Sequence, residues 1–237
     1  MKFRSYGRAY PQVIAFVGPV GVGKSTQMRL LAYRLRSKGL IVKTGFLLRG
    51  HLFSYLLLII LAKILCKGRR KNASAMRTLL DENPVSFKKL FRLWLVVDTI
   101  STCLKFLFSI FIPVKFGKIV LVEDYIPSTI THYWYYCQCL KLPVSSVNFS
   151  AKLMLRLMSC FSTWIIFQDA DTEVLKSRWR VRGSPPEKDD YIRIRREILL
   201  LLLQKIQPGR LIYVKTDNSS AREVHKLIYR MCSQTYL

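Results

Sequence analysis

Residues Gly18 to Thr26 read G-P-V-G-V-G-K-S-T, a complete G-x-x-x-x-G-K-S pattern, and they stand between a strand-like run and a helix-like run. Before them Gln12 to Val17 (Q-V-I-A-F-V) is β-branched and aromatic, as a buried parallel strand should be. After them Met28, Leu30, Leu31 and Leu35 recur at helical spacing until Gly39 stops the helix. Glycines at 18, 21 and 23 let the backbone curl so that successive N–H groups converge, and the helix that follows adds its positive N-terminus. Such a loop holds phosphates: Lys24 supplies a point charge to the β- and γ-phosphates, and the Ser25 hydroxyl can take one place in an octahedral Mg²⁺ shell. The contacting set is therefore Gly18, Pro19, Val20, Gly21, Val22, Gly23, Lys24, Ser25 and Thr26, and the ligand a nucleoside triphosphate.

The rest of the chain alternates strand and helix signals. Leu40 to Thr44, Lys118 to Glu123, Thr163 to Gln168 and Leu211 to Lys215 read as strands two to five, with Gly45 to Gly50 as a loop. Leu52 to Leu65 and Ser86 to Ile112 read as helices, separated by a basic linker over Lys67 to Asn72, and Pro113 is expected to end the second. Ser184-Pro185-Pro186-Glu187 and Ser220-Ala221-Arg222-Glu223 each carry a helix-capping pattern. The alternation predicts an α/β chain: a parallel sheet with helices on both faces. Glu123 and Asp124 then fall at the carboxyl end of strand three, the edge where such sheets bind ligands, and become candidates for the metal shell beside Ser25.

Over 237 residues, 39 Lys and Arg outnumber 14 Asp and Glu, a net charge of +25. A field of that size attracts polyanions, nucleic acid or an anionic membrane surface, although a solvated basic face is an equal account. The six cysteines form no C-x-x-C pair and five sit among apolar residues, which suggests reduced, buried thiols. Met1 to Tyr10 is basic and has no apolar signal-peptide core, so a cytoplasmic protein is expected.

Two apolar stretches invite a membrane reading. Leu52 to Leu65 would run about 21 Å as a helix, short of the roughly 30 Å bilayer core. Leu93 to Phe116 is longer but is interrupted by Asp98, Lys105 and Pro113. Core helices account best for both, with peripheral membrane attachment through an apolar helix and basic flanks as the alternative.

Three segments resemble the thymidylate kinase family of phosphate-loop nucleoside monophosphate kinases: V-I-A-F-V-G-P-V-G-V-G-K-S-T-Q-M-R-L-L-A-Y-R-L at 13–35, I-V-L-V-E-D-Y-I-P-S-T-I at 119–130 and W-I-I-F-Q-D-A-D-T-E-V-L-K-S-R at 164–178. The resemblance implies a P-loop NTPase fold with a five-stranded parallel sheet, ATP and Mg²⁺ on the loop, an acceptor nucleotide in a facing cleft, and frequent homodimers. It also implies a helical lid, at about residues 176–190. Arg178, Arg180 and Arg182 lie where that lid begins and are candidates to stabilise the migrating phosphoryl; Arg178 and Arg182 share one helical face, Lys176 and Arg180 another. On the acceptor side the chain departs from the family. Val20 stands where an acid is common, Glu123-Asp124-Tyr125 replaces Asp-Arg-Tyr, Thr99 follows Asp98 where an arginine is usual, and Gly45 stands in for another arginine that Arg49 could replace. Arg49, Asp98 and Tyr125 are the acceptor candidates. The resemblance thus implies an ATP-dependent phosphotransferase acting on dTMP or another nucleotide. The alternatives are an NTP-binding protein or NTPase that uses its basic surface on nucleic acid or membrane, and a degenerate kinase that binds ATP without transfer.

Overall fold

The computed structural model describes residues 11–48, 51–66, 74–183, 187, 189–206 and 210–234. Five strands, β1 (Val13–Val17), β2 (Val42–Phe46), β3 (Ile119–Glu123), β4 (Thr163–Asp169) and β5 (Leu211–Lys215), form one parallel sheet in the order β2-β3-β1-β4-β5. β1 and β4 are buried along their whole length, which explains their unbroken apolar composition. Side chains alternate across the sheet. Ile14 and Phe16 meet helices α1 (Lys24–Ser37) and α10 (Ala221–Gln234) on one face. Val13, Ala15 and Val17 meet the larger core on the other, built from α2 (Leu52–Leu65), α3 (Ala75–Glu82), α4 (Pro84–Phe106), α5 (Ile112–Lys115), α6 (Ile126–Cys139), α7 (Asn148–Ser159) and α9 (Asp189–Ile206). A smaller cluster seats α8 (Thr172–Val181) on the phosphate loop through Val22, Leu175 and Trp179.

Strand two begins and ends two residues later than the apolar pattern suggests. Leu40 is consumed in closing α1: Gly39 N–H donates to Arg36 O (2.9 Å) and Leu40 N–H to Leu35 O (3.2 Å), with Gly39 at φ 78. Gly45, expected in a loop, pairs with Val122 inside the strand.

Pro113 does not end the long helix. α4 passes through a π turn at Leu107–Phe111, where Ile112 N–H reaches five residues back to Leu107 O, and continues as α5. The wider turn removes the clash a proline ring would make with an ordinary helical carbonyl. The helix stops at Lys115, two residues later, and just beyond it Gly117 (φ 71) lets its own N–H donate to Val114 O and Lys118 N–H to Pro113 O.

At the other end of α4, Asn83 Oδ1 accepts from Ser86 N–H (3.3 Å) while its Nδ2 donates to Leu65 O (2.9 Å), so one side chain caps α4 and terminates α2. Asn83→Ala should lower unfolding stability by about 1–2 kcal/mol in urea titrations.

All six cysteines are free. Burial is right for Cys66, Cys137 and Cys232, but Cys139 and Cys160 are exposed because they close α6 and α7 at the surface. The second capping pattern is present as read, with Ser220 N–H donating to Glu223 Oε2 and Glu223 N–H to Ser220 Oγ. The first falls partly on 184–186, outside the described residues, as do the basic linker at 67–72 and part of the lid region.

Candidate functional site

The phosphate loop hangs from the carboxyl end of the central strand, and its glycines are required by position. A Cβ on Gly18 would lie 2.0 Å from the Gln168 carbonyl oxygen of β4, so the loop can leave β1 here only without a side chain. A Cβ on Gly21 would lie 2.6 Å from Trp179 Nε1. Trp179 in turn donates its indole N–H to Val20 O (3.0 Å), clamping α8 onto the loop.

Lys24 opens α1 and turns back under the loop. Its ammonium donates to Gly18 O (3.0 Å) and Pro19 O (2.9 Å) and lies 4.0 Å from Asp124. Burial pushes its pKa below the usual lysine value, and the neighbouring Asp124 carboxylate opposes that shift. Asp124 adopts φ 47 as the chain turns from β3 toward α6, a conformation aspartate tolerates. Its Oδ1 is buried without a hydrogen bond and stands 3.7 Å from Nη2 of Arg195, itself buried on α9.

Two clefts meet at the loop. One, of about 340 Å³, is bounded by Lys24, Ser25, Arg29, Phe46, Glu123 and Asp124. The other, of about 230 Å³, is bounded by Gln27, Arg178, Thr216, Ser219 and Val224. Gly21, Gly23, Thr26 and Arg182 border both. Arg178 is held toward the second cleft by bonds from Nη1 to Thr216 Oγ1 (3.2 Å) and from Nη2 to Thr216 O (2.6 Å).

The loop residues, Ser25, Glu123, Asp124, Arg178 and Arg182 thus come together. The Ser25 hydroxyl and two carboxylates on one cleft wall, one with an orphaned buried oxygen, are a donor set that fits Mg²⁺ bound with a nucleotide. Arg180 does not join them: it is exposed and borders neither cleft, because the face of α8 it occupies turns away from the loop. On that same face Lys176 pairs with Glu173 and Asp189.

Two acceptor candidates are displaced by packing. Asp98 is fully buried between α2 and α6, accepting from Ser54 Oγ (2.6 Å) and Tyr133 OH (2.7 Å), and borders neither cleft. Burial, then the Asp98 charge, hold the Tyr133 hydroxyl well above its usual pKa, so it remains a donor. Tyr125 is sealed into the large core at the start of α6, where burial likewise raises its pKa. Arg49 lies outside the described residues. Conversely, Arg195, Trp179 and Thr216 enter the site without any warning in the sequence. Arg195 is one of three arginines in the run R-I-R-R at 193–196, and only the packing of α9 selects it.

Fold and loop together define an α/β phosphate-loop protein with a nucleotide kinase fold. Among the solved structures it resembles are two thymidylate kinases. The enzyme from Ehrlichia chaffeensis superposes with a TM-score of 0.53 at 20% identity, covering 92% of this chain and 96% of that one. The enzyme from Candida albicans superposes with a TM-score of 0.58 at 12% identity, covering 95% of this chain and 92% of that one. No protein-family model and no curated protein sequence matches the chain.

Proposed function

We propose that this chain is an ATP-dependent phosphotransferase that moves the γ-phosphoryl group to a nucleoside monophosphate. The observation that carries the proposal is the pair of clefts sharing the phosphate loop and Arg182. One cleft takes the donor, against Arg178 and Thr216; the other takes the acceptor, against Phe46, Arg29 and the β3 carboxylates. In-line transfer requires that juxtaposition and little covalent chemistry from the protein.

The loop N–H groups and the α1 N-terminus hold the donor phosphates. Lys24 leaves the Gly18 and Pro19 carbonyls and places its charge on them, while Arg182 stands between donor and acceptor to stabilise the charge that spreads during transfer. Ser25, with Asp124 or Glu123, would hold Mg²⁺, which when bound supplies charge neutralisation across the phosphates. Arg195 has a positioning role, keeping Asp124 turned toward Lys24.

A second reading has its own support. Asp98 and Tyr125, two of the three acceptor candidates, are spent on packing. A site without a built acceptor pocket would hydrolyse or simply bind the nucleotide. Incubation of the chain with γ-labelled ATP, Mg²⁺ and a panel of nucleoside monophosphates separates the two. Label in one nucleoside diphosphate supports transfer and names the acceptor. Label only in inorganic phosphate, or bound ATP with none released, overturns it in favour of the second reading.

A further inference from the structure

We infer that the outer face of α2 and α4 is a docking surface for an anionic lipid bilayer. The inference is independent of the catalytic reading, since this face lies on the helical layer and not on the phosphate loop.

The two helices pack antiparallel. Ser54 near the start of α2 bonds Asp98, far along α4, and Leu65 at the end of α2 bonds Asn83, just before α4. Their inner sides supply Leu58, Leu61, Phe87, Phe91 and Trp94 to the large core. Their outer sides are also apolar. Phe53, Leu56, Ile60 and Ile64 share one face of α2 by helical spacing, and Leu93, Val96 and Ile100 share one face of α4. These seven side chains keep between 44 and 68% of their surface exposed. A run of large apolar groups on adjoining helices is more than the scattered exposure ordinary to a protein surface, and it marks an interaction site.

The occupant follows from charge. Exposed Lys63 flanks the α2 stripe, exposed Lys89 continues the α4 stripe, and exposed Arg92 lies beside it. The single acidic residue in either helix is Asp98, which is fully buried. A second copy of the chain would set these cations against their own kind, with no carboxylate from either helix to meet them and +25 on each molecule. Anionic headgroups meet them directly, while the apolar stripe enters the boundary between headgroups and acyl chains.

The helical stretch Pro84–Lys115 is long and apolar enough, by length and composition alone, to cross a bilayer. It does not need to, because one side of it is already packed in the core and Asp98 is bonded there. Docking by one face uses the fold as it stands.

The test is flotation of the full chain with vesicles of phosphatidylcholine alone and of phosphatidylcholine mixed with phosphatidylglycerol, beside sedimentation velocity without lipid. The expected result is a monomer that floats with the anionic vesicles and releases as salt is raised. Ile60→Ser with Ile64→Ser should weaken flotation by roughly tenfold per residue. Leu93→Ser with Val96→Ser, on the other helix, should do the same, so that a folding defect in one pair leaves the other as the reading. Lys63→Ser with Lys89→Ser should weaken binding to anionic vesicles only. Vesicle binding unchanged by either apolar pair, or no flotation at all, would overturn the inference. So would a dimer that the apolar substitutions dissociate and that ignores lipid, which would assign the face to a second copy.

Discussion

Lys24→Ala should reduce phosphoryl transfer by about a thousandfold or more, the scale on which removing one preorganised charge from a water-poor site acts. The ammonium is the cation placed at the loop, and its three near neighbours are two loop carbonyls and Asp124. Among the described residues no other side-chain cation is bonded to those carbonyls: Arg195 is engaged with Asp124, and Arg182 borders the two clefts. Lys24→Arg should rescue little, because a planar guanidinium cannot fold into the space a lysine ammonium occupies under the loop. The fold should persist in both variants, since the substitution also removes a buried charge. Initial rates with γ-labelled ATP, ATP affinity by calorimetry, and thermal unfolding are the measurements. A variant within tenfold of the parent rate would mean that another cation carries the phosphoryl charge.

Asp98→Ala should lower unfolding stability by roughly 2–4 kcal/mol, because it strips the acceptor from the buried Tyr133 hydroxyl and removes the bond that ties Ser54 to α4. Tyr133 OH and Ser54 Oγ both donate to this carboxylate from buried positions, and Ser54 has a second acceptor, the His51 carbonyl at 2.8 Å. The same bonds join α2, α4 and α6, so the loss falls on three elements of the large core. Asp98→Asn keeps one acceptor and should cost less. Urea denaturation checks the size, and the Michaelis constant for the acceptor checks the role. A folded, equally stable Asp98→Ala protein with a raised acceptor constant would return this residue to the site.

How far the residues announce this outcome depends on whether their roles are local. The phosphate loop, its flanking strand and helix, and β3, β4 and β5 were legible because glycine spacing and short apolar runs are set by neighbours in the chain. β2 was shifted because Leu40 looks like a strand residue but is used to close α1, and Gly45 looks like a turn but pairs with Val122. Pro113 was misjudged because a π turn several residues earlier absorbs it, which no local pattern reports. Asp98 and Tyr125 were drawn toward chemistry by their positions in a family pattern, whereas their burial is decided by what α2 and α6 bring against them. Arg195 and Trp179 show the converse: Trp179 meets the loop at Val20 from 159 residues away, and Arg195 meets Asp124 from α9, and only packing makes those contacts.

Because Lys24 already holds Gly18 O and Pro19 O, loading the loop is an exchange rather than an addition. An incoming anion must outcompete two carbonyls that are permanently at hand. A weakly charged ion such as inorganic phosphate gains little over them, while a chain of phosphates that also engages the loop N–H groups gains a great deal. On the proposed function, the resting bonds of one lysine set a threshold, and the loop would sort crowded cellular anions by their valence before any base or sugar is read.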